Sequence, residues 1–192
     1  GIGANAAVMA DGSWEMPFGP VPIDQELAAA VVRHAPVTVD ATAHLREHSL
    51  EVQVPFLQYF QPKLTIVPIL FSHLSYAACA TLGRGLATAV KNSTREVLLV
   101  ASTDMSHYET RETAQRQDRL ALERIADLDP EGLYETVSRH NISMCGVIPT
   151  VITLIAAQGL GAEQAALVRY TDSGAATGDT SQVVGYAGWV VR

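Results

Sequence analysis

The chain has 192 residues, a formal net charge of −7, 48% hydrophobic residues and 17% charged residues. That is enough apolar sequence for one sizeable core, read as a single domain over 1–192, and too much for a disordered chain. An acidic balance without a basic patch argues against nucleic acid as a partner, and no apolar run approaches the roughly 20 residues of a membrane span.

Two cysteines, Cys79 and Cys145, lie far apart. They form no disulfide framework and suit a reducing, cytoplasmic compartment. No basic segment followed by an apolar one marks a signal peptide. The chain opens on Gly1 rather than methionine, and residues 6–10 already read as a strand. The opening is therefore either a processed start or an entry partway into a fold.

In chain order, residues 11–20 are turn-rich. Asp24 caps a helix running to about residue 33, with Leu27, Val31 and Val32 on its apolar stripe, and Pro36 ends it. Residues 37–39 are a short strand. Residues 47–60, EHSLEVQVPFLQYF, carry Leu50, Val54 and Leu57 at helical spacing with Pro55 inside the pattern, which predicts an irregular helix. Residues 64–70, LTIVPIL, read as a strand that Pro68 places near an edge or bulge. A small-residue helix over 75–91 follows, then the strand 96–101.

Beyond it come an amphipathic helix over 109–126 with an Arg119–Glu123 pair, a helix from Asp129-Pro130 to about residue 139, and an apolar helix over 146–158. Strands over 166–170 and 183–191 close the chain around a Gly/Ser/Thr/Asp loop. Strands alternating with helices of ten or more residues predict an α/β sandwich with a mainly parallel sheet, the last strand pairing antiparallel at one side.

The stretch EVLLVASTDMSHY, 96–108, is the most telling. An apolar strand runs straight into Asp104 and His107, and in open α/β sheets reacting groups sit beyond the carboxyl ends of strands. A carboxylate and an imidazole three residues apart suit proton transfer or metal binding. The plainer alternative makes Asp104 the cap of the next helix, with Ser106 competing, and His107 a structural hydrogen-bonder. Glu47, His48 and Glu51 form a second acidic and imidazole group, although acidic residues favour helix starts for dipole reasons alone. Cys145, at the entrance of an apolar helix, is placed where the helix field favours a thiolate; the alternative is a small buried hydrophobe, the fate assigned to Cys79. The loop 172–180 offers two glycines and exposed amides but no phosphate-binding fingerprint.

Taken together and in order, EHSLEVQVPFL (47–57), STDMSHY (102–108) and MCG (144–146) resemble signature segments of the Memo family. So do GSWEMPFGPVPID near the start and DSGAATGDTSQVVGYAG near the end. Prokaryotic members are called AmmeMemoRadiSam system protein B. The resemblance implies a three-layer α/β/α sandwich similar to the catalytic subunit of class III extradiol ring-cleaving dioxygenases. It implies a metal pocket in which Asp104, His107 and Cys145 are ligands, with Asp104 and His107 also catalytic, and in which Glu47 and His48 line the pocket. Fe(II) or Cu is the implied metal.

Family members carry an earlier portion with two further histidines, so the resemblance also implies a domain short of its amino-terminal part and of a full ligand set. Two functions follow as expectations. One is a metal-dependent oxidoreductase of the dioxygenase type acting on a small aromatic molecule. The other is a non-catalytic module that binds a peptide or small anion in the same pocket. A Cys- or Asp/His-dependent hydrolase is a third, lacking an oxyanion-hole motif.

Overall fold

The computed structural model describes residues 3–192, which form two compact units, one up to residue 98 and one from residue 99 onward. In the first unit β1 (Ala6–Val8), buried at all three residues, is the centre of a three-stranded sheet. β4 (Thr38–Val39) pairs with it in parallel and β5 (Ile69–Phe71) antiparallel, with Ala7 opposite both Thr38 and Leu70. The turn-rich segment closes into a hairpin of β2 (Ser13–Met16) and β3 (Gly19–Pro22), where Gly19 adopts φ +105° at the turn.

α1 (Gln25–His34) starts at Asp24, whose carboxylate accepts from the Leu27 N–H at 3.0 Å and pairs with Arg95 at 3.0 Å. α3 (Tyr76–Lys91) starts at Ser75 and packs on α1, close enough that a Cβ on Gly85 would meet the His34 carbonyl. Cys79 is fully buried in α3, as a small hydrophobe should be. The predicted helix 47–60 is instead a turn, a 3₁₀ segment at Glu51–Gln53 and the short α2 (Val54–Phe60). Pro55 lies in the first turn of α2, where no N–H is needed.

In the second unit β7 (Ala165–Asp172) and β8 (Val183–Val191) pair antiparallel, and β6 (His107–Glu109) adds on the far side of β8. α4 (Arg111–Ala126), capped by Thr110, lies against this sheet. α5 (Pro130–Arg139) begins at the Asp129 cap and packs between α4 and α6 (Val147–Gly159). A short α7 (Gly174–Thr177) occupies the predicted glycine loop. Leu133, Val151 and Ile152 are fully buried and form the centre of the core with Met105 and Val183.

The architecture is thus mixed α/β with three small sheets. Among the described strand pairs only β1–β4 is parallel, which corrects the expectation of a mainly parallel sheet. The connections explain part of this. β2–β3 and β7–β8 are joined by too few residues for the crossover a parallel pair requires. The expected strand 96–101 forms no strand and has no ladder partner among the described residues, and Leu98 and Val100 face solvent. Among those residues no helix is long and apolar enough to cross a membrane.

Candidate metal centre

The Asp104–His107 segment is fastened to β8 on both sides of Met105. The Met105 N–H donates to the Gly185 carbonyl at 2.8 Å, and the Gly185 N–H donates to the Ser106 carbonyl at 2.9 Å. His107 then opens β6 opposite Val184, but the register breaks between His107 and Glu109. The residue in between, Tyr108, sits at φ 58° with its ring exposed. This is a β-bulge, and bulges re-aim the side chains beside them.

Cys145 arrives from another part of the unit. Ile142 and Met144 are buried, so the intervening Ser143 and Cys145 are left exposed on the other side of the chain. Gly146 caps α6 and donates its N–H to Thr103 Oγ1 at 2.9 Å, and Thr103 donates to the Asp104 carbonyl at 2.8 Å. A Cβ at Gly146 would strike the Thr103 side chain and the Ser102 carbonyl, so glycine is the residue that allows this approach.

The structure brings together three of the five residues expected at the pocket. Ligand atoms of Asp104, His107 and Cys145 all lie within 4.8 Å of one another. His107 Nε2 is 3.6 Å from Asp104 Oδ2, and the Asp104 N–H points at Cys145 Sγ from 3.2 Å. His107 Nδ1 is 2.7 Å from the Ser143 carbonyl oxygen, and the His107 N–H donates to Ser143 Oγ at 2.7 Å. A carbonyl only accepts, so Nδ1 carries a proton, and Nε2 is left on the side of Asp104. Metal-binding histidines are held by such a bond from their other nitrogen.

Asp104 caps nothing, because Thr110 caps α4. Glu47 and His48 belong to the first unit, in the turn before α2, where Glu47 Oε1 accepts from the Ser49 N–H at 2.6 Å. Partial burial raises the Glu47 carboxyl, but the Ser49 and His48 hydrogen bonds and the His48 charge leave it below its ordinary value.

Sequence reasoning missed two supports of the cluster. Ser143 lies just ahead of the MCG segment and carries no signal of its own in the sequence. Asp118 left a clearer signal: it interrupts the buried stripe Ala114, Asp118, Ala121, Ile125 of α4 with a charge.

The donor set fits a metal. One thiolate, one imidazole and one carboxylate offer soft, intermediate and hard ligands, and three protein ligands leave coordination positions open. A mixed α/β protein with an Asp/His/Cys donor cluster is the class that fold and site define. A family model for Memo-like proteins matches residues 1–190. The chain is 43% identical over 188 residues to a MEMO1 family protein of Methanothermobacter thermautotrophicus, covering 97% of this chain and 68% of that protein. Its identity to a MEMO1 family protein of Methanopyrus kandleri is 43% over 194 residues, covering 100% and 69%. With one from Aquifex aeolicus it is 40% over 191 residues, covering 99% and 71%. The chain belongs to the Memo family.

Proposed function

We propose that this chain binds one transition-metal ion through Asp104 Oδ2, His107 Nε2 and Cys145 Sγ, and that the pocket serves a metal-dependent oxidoreductase related to the extradiol dioxygenases. The observation that carries the metal reading is the convergence of three different ligand atoms within 4.8 Å, from residues up to 41 positions apart. Fe(II) and Cu are the proposed metals, since imidazole suits both and the thiolate shifts preference toward copper.

Bound there, such a metal supplies redox chemistry and open positions for small ligands. The protein groups have separate tasks. Ser143 fixes the His107 tautomer through its carbonyl and the backbone position through its hydroxyl. The Asp104 N–H holds the sulfur in place. His107 has one free ring nitrogen, so at Nε2 it is either a ligand or a proton carrier at any one time. With His107 engaged as a ligand, a free oxygen of Asp104 is the proton acceptor within the cluster.

Anaerobic titration with Fe(II) and with Cu(I), followed by metal analysis after desalting, tests the metal reading. One equivalent retained by the wild type and lost in a folded Cys145→Ala variant is expected. Equal retention by both variants would remove the thiolate from the site, and no retention by either would remove the metal. Oxygen uptake with catechols on the loaded protein tests the oxidoreductase half, and its absence would leave a binding site alone.

A further inference from the structure

Asp118 is completely buried, lies mid-helix in α4 and accepts three hydrogen bonds. Two come from Ser106, the N–H to Oδ1 at 2.8 Å and the hydroxyl to the same oxygen at 2.6 Å. The third comes from the Tyr170 hydroxyl to Oδ2 at 2.6 Å. Among the described residues no basic side chain pairs with it. Burying an acidic group without a cation is costly, and an apolar residue here would pack α4 on the sheet with less penalty. The cost is placed at one spot, the two-residue link between the ligands Asp104 and His107.

Around that link three polar backbone groups are engaged. Met105 N–H and Ser106 C=O are held by Gly185, and Ser106 N–H by Asp118. A Cβ on Gly185 would collide with Asp118 Oδ2, so the strand residue is also cut to fit the carboxylate. Burial, then the bond to Asp118, pushes the Tyr170 phenol far above its usual range, so this donor keeps its proton at any working pH. The result is a clamp on both sides of Ser106, and connected hydrogen-bond networks of this kind rigidify what they hold.

We infer that Asp118 is a positioning residue for the metal centre: through Ser106 it fixes the spacing of Asp104 Oδ2 and His107 Nε2. This rests on the metal reading proposed above. The role explains a carboxylate where packing alone calls for none, and it separates Asp118 from the remaining core of the unit.

The test compares wild type, Asp118→Leu and Leu133→Ala, the last a core truncation in α5 that serves as a stability control. Co(II) is the probe, read by its ligand-field and thiolate charge-transfer absorption, with thermal melting measured on the same samples. Asp118→Leu, which removes the acceptor of both Ser106 bonds, should lower Co(II) affinity by roughly 10–100-fold, the usual effect of losing an outer support, and alter the ligand-field bands. Leu133→Ala should lower the melting temperature but leave affinity and spectrum within about threefold of wild type.

Unchanged Co(II) affinity and spectrum in Asp118→Leu would overturn the inference, and so would an equal loss in Leu133→Ala. Amide hydrogen exchange of the metal-free proteins separates this inference from the metal reading. Asp118→Leu should accelerate exchange at Ser106 and His107 at least tenfold more than at core amides of α6. That result alongside a wild type that binds no Co(II) would sink the metal reading and keep Asp118 as the anchor of the segment. Uniform acceleration would overturn the inference even if the wild type binds Co(II).

Discussion

Arg111 grips Asp172 with two hydrogen bonds, Nε to Oδ2 at 2.9 Å and Nη2 to Oδ1 at 2.7 Å. These bonds, the Arg111 charge and the Gly174 and Ala175 amides hold the Asp172 carboxyl below its ordinary range despite burial. A depressed folded value means the contribution is complete above the unfolded value of about 3.9 and is lost as pH falls through the folded one. Asp172→Asn should therefore melt below wild type at pH 6, and the gap should close under acid, as scanning calorimetry at pH 6 and pH 3 would show. His44 acts at a higher pH with the same sign. Burial depresses it, against the pull of Asp40, the Ala7 backbone and Glu47, and its Nε2 is buried without a partner. Protonation then favours the unfolded chain as pH drops through about 6.5. His44→Phe should flatten the loss of stability between pH 7 and pH 5.5, measured as urea midpoints.

Glycine shows how local geometry separates positions that look alike in sequence. Gly146→Ala forces a methyl onto Thr103 at the start of α6 and should cost about 1–3 kcal/mol, with displacement of Cys145. Gly188→Ala, mid-strand in β8 with open space around it, should stabilise by about 0.5 kcal/mol. Denaturant curves for both variants check the contrast. The helices were legible because caps are local: Asp24, Ser75 and Asp129 each accept from the first turn they announce. The strand β8 was legible from its apolar run. The hairpin at 13–22 was not, since Pro20 and Pro22 depress strand propensity and the turn depends on Gly19 at positive φ. Nor was the absence of ladder pairing at 96–101, because a strand is a relation between two segments and its own sequence shows only one. For the site, Asp104, His107 and Cys145 were visible as residue types at element ends. Ser143 and Asp118 were hidden because their value lies in backbone and outer contacts that spacing does not encode.

At the scale of the molecule, the apolar segment around Leu98 and Val100 has no ladder partner among the described residues, and these two side chains are exposed. Such segments pair with other chains unless guarded by charge. Leu98→Lys should reduce concentration-dependent self-association while changing stability by less than about 0.5 kcal/mol, read by light scattering and denaturant unfolding. Metal should act on the equilibrium as well. The unfolded chain has no convergent ligand set, so a metal at 100 times its Kd should add about 2.7 kcal/mol. The bulge at Tyr108 carries this one step further. His107 faces Asp104 only when β6 has closed on β8 in the bulged register, and a slip of one residue would turn the imidazole to the opposite face. On the proposed metal reading, capture becomes a checkpoint on chain assembly: a molecule that has mispaired its last strand should fail to load, and the rate of loading during refolding should time the arrival of residue 184 beside residue 107.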